Sequence, residues 1–240
     1  MIKTARAAEV CVVTGGARGI GKAVADTFLA AGATVHSVDL RHSPGTSSAQ
    51  LVQHDGDVCD LAAIETLARS IGKIDVLVNN AAAVTRVVPI TDLEPEEWER
   101  TILVNITGVF NVTRSFLPSM GPGGRIINLA STFGHVGSRG RVAYSTTKGA
   151  LLAFTRSLAL DCAHLGIRVN SVSPGAVVTD RLIELFGSHQ AAEDKLGPLH
   201  PIGRIGTPAD IAAAILFLAS PGAGFVTGAD LLVDGGYTAQ

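Results

Sequence analysis

The sequence predicts an α/β fold, a doubly wound, seven-stranded parallel sheet with helices on both faces. Three observations carry this. Short runs rich in Val and Ile alternate with longer segments of helical period. A glycine-rich turn follows the first of these runs directly and opens a helix. The chain has 240 residues, 47% hydrophobic and 17% charged, enough apolar material to bury a helix layer on each side of a sheet.

In order, the strands are Glu9 to Thr14, Thr34 to Asp39, Leu51 to His54, Ile74 to Asn79, Arg125 to Ala130, Arg168 to Ser173 and Asp230 to Val233. Between them the pattern predicts helices at Gly19 to Ala31, Leu61 to Ile71, Pro95 to Leu117, Val142 to Leu165 and Pro208 to Ala219. Pro44, Gly45 and three serines after Asp39 predict a loop where a crossover helix would otherwise stand. The segment 180–205 opens like a helix with Leu182, Ile183, Leu185 and Phe186. It then loosens into glycines, prolines and polar residues, which suits a substrate lid. No linker or repeat divides the chain, so one domain over residues 1–240 is expected.

A net charge of -2 with scattered Lys and Arg excludes the basic footprint of a nucleic-acid or anionic-membrane binder, and favours small-molecule partners. Lys3 and Arg6 precede only the short apolar run Val10 to Val13, too brief for a signal-peptide core. Ile211 to Ala219 is about half a membrane span. A cytoplasmic protein is the expectation. Cys11, Cys59 and Cys162 lack disulfide or zinc spacing, so no metal is expected and they read as buried free thiols.

The turn Thr14-Gly15-Gly16-Ala17-Arg18-Gly19-Ile20-Gly21 lets backbone amides approach a pyrophosphate whose charge the helix N-terminus favours. On its own such a turn is as readily a plain strand-to-helix connection. Asp39, ending the second strand, is placed to accept hydrogen bonds from an adenosine ribose and would repel a 2′-phosphate, which favours NAD(H). Arg18 and Arg41 are the counter-signal, since a nearby arginine neutralises such a phosphate and leaves NADP(H) open. Asp57 after the third strand and Asn80 after the fourth face the same predicted crevice, Asp57 toward an adenine and Asn80 as a brace for the loop. Both are also ordinary turn residues.

Tyr144 and Lys148 stand one turn apart on a predicted helix, close enough for an ammonium to favour the phenolate and make Tyr144 a general acid or base. A Tyr and Lys so spaced are also common on solvated helix faces. Ser131 at a strand end is placed to polarise a substrate carbonyl, and Asn105, a lone amide among apolar residues, needs buried partners and is placed to link Lys148 to solvent through water.

Taken together these residues resemble the short-chain dehydrogenase/reductase family, in its single-domain Rossmann-fold branch, over essentially the whole chain. The resemblance rests on the glycine motif, Asn79-Asn80-Ala81, Asn105, Ser131, Tyr144 with Lys148, Pro174-Gly175 and the ending Val233-Asp234-Gly235-Gly236-Tyr237. It implies a catalytic tetrad of Asn105, Ser131, Tyr144 and Lys148, with Tyr144 exchanging the proton, Ser131 holding the substrate oxygen, Lys148 also on the nicotinamide ribose and Asn105 holding a relay water. It further implies a dinucleotide held by Gly15, Arg18, Gly19, Ile20, Gly21, Asp39, Leu40, Asp57, Val58, Asn80, Ala81, Pro174, Gly175, Val177 and Thr179, in a homotetramer with the Asn105 and Tyr144 helices in one interface and the C-terminal strand in another. Ala82 stands where members carry glycine, and the loop after Asp39 is short.

Two readings compete with an NAD(H)-dependent secondary-alcohol dehydrogenase acting on a cyclic alcohol or polyol. One is an NADPH-dependent 3-oxoacyl-[acyl-carrier-protein] reductase, disfavoured by Asp39 and by Pro122 and Leu165 where carrier-gripping basic residues would stand. The other is a dinucleotide-binding protein without catalysis, disfavoured by the intact tetrad. For the substrate, Thr132, His135, Val136, Arg139, Leu182 and Phe186 are candidate contacts, with Ala82 to Thr85 as a further wall. Each is equally readable as packing.

Overall fold

The computed structural model describes residues 9–43 and 48–240. Seven parallel strands run β1 (Val10–Thr14), β2 (Thr34–Asp39), β3 (Leu51–Asp55), β4 (Ile74–Asn79), β5 (Met120–Leu129), β6 (Arg168–Pro174) and β7 (Asp230–Val233), in the spatial order β3-β2-β1-β4-β5-β6-β7. The order reverses between β1 and β4, and at that switch point a crevice opens beyond the strand ends.

Strand alternation explains the two cores. Cys11, Val13, Val76, Val78 and Ile127 point to one face, where they meet Val24 and Phe28 of α1 (Gly19–Ala30). On the opposite face Val12, Leu77 and Ile126 meet Ile64 of α2 (Leu61–Ile71). The central strands β1, β4 and β5 are thus buried on both sides, which is why their runs read as continuous Val, Ile and Leu. Glu9 falls just outside β1. Its buried carboxylate instead accepts from Arg125 at 2.6 Å, tying the foot of β1 to β5. β5 begins earlier than expected, because Gly121 to Gly124 form an irregular stretch that pairs Met120 with Ile74 before regular register starts at Arg125.

The helix expected over Pro95 to Leu117 is divided. α3 (Pro95–Ile102) passes into a π turn, Leu103–Thr107, before α4 (Gly108–Phe116). The wide turn draws Asn105 inward. Gly108, whose N–H reaches back to the Leu103 carbonyl, lets it sit against Val58, where an added Cβ would lie 2.7 Å from a Val58 methyl. α5 (Val142–Ala163) carries Tyr144 and Lys148.

Segment 180–205 also departs from expectation in its second half. After α6 (Asp180–Phe186) the chain does not loosen but forms α7 (His189–Leu196), because the Ser188 hydroxyl caps it by accepting from Ala191 N at 3.1 Å and Ala192 is buried. α8 (Pro208–Ala219) follows, entered through a reciprocal Thr207/Asp210 cap, and joins α1 over the first core. No helix lies between β2 and β3 among the described residues; Pro44 and Gly45 of that loop, and Lys3 and Arg6, lie outside them.

Candidate active site

A cleft of about 850 Å³ lies over the carboxyl ends of β1, β4, β5 and β6. At one end the glycine turn is braced by Asn80, whose Nδ2 donates to the Thr14 and Gly15 carbonyls, both at 2.9 Å. The Thr14 hydroxyl in turn accepts from Asn80 N at 3.0 Å and Ala81 N at 3.1 Å. Gly21 does not line the cleft. It lets α1 press on the turn, since a Cβ there would stand 2.0 Å from the Gly15 oxygen. Asp39 clamps the turn from β2, accepting from Ala17 N at 3.0 Å and Leu40 N at 2.8 Å. Gly15, Arg18, Gly19, Ile20, Asp39, Leu40, Asp57, Val58, Asn80, Ala81, Pro174, Gly175, Val177 and Thr179 all contribute to the lining.

At the other end stand Ser131, Tyr144 and Lys148. Ser131 leaves β5 in extended conformation and caps a short turn, Thr132–Gly134, accepting from Phe133 N at 3.2 Å. Gly134 lets that turn touch α5, because a Cβ there would fall 2.9 Å from the Lys148 carbonyl. The Ser131 hydroxyl therefore comes within hydrogen-bond reach of the Tyr144 phenol. Lys148 is buried, its Nζ donating to the Leu129 carbonyl at 2.6 Å and lying 5.5 Å from the centre of the Tyr144 ring.

The electrostatics differ from the simple expectation. Burial holds the Lys148 amine down to about 7, so its positive charge is weakened at neutral pH. Burial also raises the Tyr144 phenol, opposed by the Ser131 hydrogen bond and by two cations, Arg181 and Arg141. Arg181 and Arg141 are thus further charges that favour the phenolate. Neither stood out in the sequence.

Asn105 lies behind the cleft with both amide N–H groups used. Nδ2 donates to the Ala83 carbonyl at 2.9 Å and the Thr147 hydroxyl at 3.0 Å, while Oδ1 accepts from Ala83 N at 2.7 Å. It fixes the loop after β4 against α5. The side chain thus has no donor left over for a relay water.

Residues 15–238 match the family model described as "Enoyl-(Acyl carrier protein) reductase". The chain belongs to the short-chain dehydrogenase/reductase family. It is 37% identical to the cyclopentanol dehydrogenase of Comamonas testosteroni, over 97% of this chain and 98% of that one. It is 39% identical to the NADP-dependent (R)-specific alcohol dehydrogenase of Lentilactobacillus kefiri, over 97% of each. With the 3-oxoacyl-[acyl-carrier-protein] reductase of Vibrio harveyi the figures are 35%, 95% and 96%. Among solved structures, the ligand-free aldohexose dehydrogenase of Thermoplasma acidophilum superposes with a TM-score of 0.90 at 33% identity, covering 98% of this chain and 95% of that one.

As a short-chain dehydrogenase/reductase the protein is an oxidoreductase that uses NAD(P). The residues present fit that group: the backbone at Gly15 and Gly19 adopts positive φ, +66° and +56°, and the space at Gly15 and Gly21 is too tight for any side chain.

The six residues named as substrate contacts stand outside this lining. His135 turns away to pair with Asp230 of β7 at 2.8 Å, Thr132 is buried in its turn, and Phe186 lies beneath the Lys195 ammonium. Ala82, Ala83 and Val84 of the expected loop do line the cleft, joined by Arg86, Glu97, Arg100 and Arg181. His200, also unforeseen, braces the far wall: its Nε2 accepts from Ala176 N at 3.2 Å and its ring meets Tyr237, fixing the Pro174-Gly175 turn. Cys59 is half-buried at the cleft, where burial and the adjacent Asp57 push its thiol up to about 11; Cys11 and Cys162 are buried in the cores.

Proposed function

We propose that this enzyme interconverts a secondary alcohol and its ketone with NAD(H), using Asn105, Ser131, Tyr144 and Lys148 as its catalytic group, within one domain over residues 1–240 whose segment 180–205 serves as the substrate lid. The observation that carries the reading is the convergence of Ser131, Tyr144 and Lys148 on one end of a cleft whose other end is a glycine turn. The bound nicotinamide dinucleotide supplies or accepts the hydride. The Tyr144 hydroxyl exchanges a proton with the substrate oxygen, and the Ser131 hydroxyl, held by its turn, orients that oxygen against it. Lys148, held near the Tyr144 ring by its bond to the Leu129 carbonyl, ties α5 to the end of β5, and Asn105 keeps the loop at Ala83 and helix α5 in register.

Asp39 supports NAD(H), its carboxylate standing beside the turn. One observation favours NADP(H) as the cofactor, which both the second reading, a 3-oxoacyl-[acyl-carrier-protein] reductase, and an alcohol dehydrogenase such as that of Lentilactobacillus kefiri would use. A second cavity of about 660 Å³ beside Asp39 is lined by Arg18, Lys22, Arg41 and His42, a basic surround for a 2′-phosphate. Titration with NADH and NADPH followed by thermal melting separates them, with the larger stabilisation expected from NADH; a larger shift from NADPH would reverse the assignment. The relatives' names support small hydroxylated or oxo compounds as the substrate class, cyclic alcohols and polyols among them. Exposed Phe110 and Leu160 on the α4 and α5 face, and Phe217 and Leu232 near β7, support a homotetramer, and no described helix is long and apolar enough to cross a membrane, which accords with a cytoplasmic enzyme.

A further inference from the structure

Of the two arginines near Tyr144, Arg181 is exposed and Arg141 is part-buried, and neither has a carboxylate within ion-pair distance among the described residues. Arg181 lines the cleft wall, and its guanidinium reaches across to the Val84 carbonyl at 3.2 Å. Arg141, immediately before α5 and one turn from Tyr144, reaches the next carbonyl of the same segment, Thr85, at 3.4 Å. Neither makes an ion pair within 4.0 Å among the described residues, although Arg86 in the same wall is paired with Glu97. Glu184, on α6 with Arg181, acts on it only at longer range, and Asp180 lines the cleft beside it. The Thr85 hydroxyl between Val84 and Arg86 is buried with no partner. Each guanidinium has five donors and uses one on a backbone oxygen, so Arg181 keeps donors free on the cleft wall, with Arg141 behind it, for an anionic ligand group.

We infer that the substrate carries a carboxylate a few bonds from the reacting carbon, held by Arg181 with Arg141 while Ser131 and Tyr144 hold the hydroxyl or oxo group, so that the enzyme acts on hydroxy acids and their oxo acids. This rests on the proposed role of Tyr144. A planar guanidinium takes a carboxylate with two parallel hydrogen bonds, and a neutral isostere of equal shape forfeits that charge-assisted pair.

The test compares 2-hydroxypropanoate, 3-hydroxybutanoate and 4-hydroxypentanoate with their amides, with NAD and NADP supplied in turn. For one spacing, wild type is expected to favour the acid over the amide by about thirtyfold in kcat/KM, or about 2 kcal/mol. Arg181→Gln is expected to bring that ratio near one and Arg181→Lys to restore part of it. Calorimetric titration of 4-oxopentanoate is the second readout, with binding to wild type and its loss in Arg181→Gln expected. Equal use of acids and amides by wild type would overturn the inference while leaving the role of Tyr144 intact. So would an acid-to-amide ratio unchanged in Arg181→Gln, or a variant whose only defect is weaker dinucleotide binding, which would assign Arg181 to the phosphates. If neither acids nor amides turn over, the proposed chemistry fails, and anion binding alone decides the inference.

Discussion

Gly21→Ala probes the dinucleotide end at a residue that stands behind the cleft and does not itself line it. An added Cβ would lie 2.0 Å from the Gly15 oxygen, 2.7 Å from its carbonyl carbon and 2.5 Å from Asn80 Nδ2, whereas ordinary contacts begin near 3.4 Å. The obstructing atoms are backbone and a braced amide, so the turn itself must retreat by about 1 Å or more. That retreat breaks the Asn80 bonds to Thr14 and Gly15, at about 1 kcal/mol each, and adds overpacking of about 1–3 kcal/mol, a total of about 3–5 kcal/mol. For a chain of this size the expected loss in Tm is on the order of 10 °C. Displacing the amides that face the pyrophosphate by this distance should weaken binding by about a hundredfold. Thermal melting and NADH fluorescence titration measure both. Gly137→Ala, at a site with open space around it, serves as the control and should change neither. A Gly21→Ala protein that melts with wild type and binds NADH normally would refute the view that this glycine holds the turn in shape.

Lys148→Met tests the cost of the buried amine. Because burial lowers the Lys148 pKa from 10.5 to about 7, the unfolded chain holds more protons than the folded one between those values, and wild-type stability rises with pH across that window. The variant should therefore gain most in Tm over wild type at pH 7 and below, and its advantage should shrink by about 3 °C per pH unit toward pH 9. A gap independent of pH would contradict the shift. Asn105→Ala leaves the Ala83 N–H and carbonyl without partners and should cost about 2–4 kcal/mol together with most turnover, whereas an unchanged melting curve would remove Asn105 from its bracing role.

The central strands were legible because they bury alternate residues in two cores: in β1, Val12 faces one way and Cys11 and Val13 the other, leaving an unbroken apolar run. The glycine turn and the Ser131, Tyr144 and Lys148 positions were legible because each lies where a strand ends or a helix turns. The π turn was not, since Leu103 to Thr107 carries an unbroken helical pattern and the groups that draw Asn105 inward, Ala83 and Thr147, are remote in sequence. The substrate wall was hidden for the same reason. His135 looked free to reach a ligand, but the partner that claims it, Asp230, arrives from the far end of the chain, and Arg181 reaches the cleft only because α6 folds back over the loop after β4.

The central claim is that Tyr144 moves the proton, and Tyr144→Phe tests it most directly. The substitution keeps the ring and removes only the hydroxyl that meets Ser131. We predict that hydride transfer, followed by nicotinamide absorbance with the preferred substrate, falls by at least about a thousandfold while NADH affinity stays within about threefold. Turnover equal to wild type would contradict it.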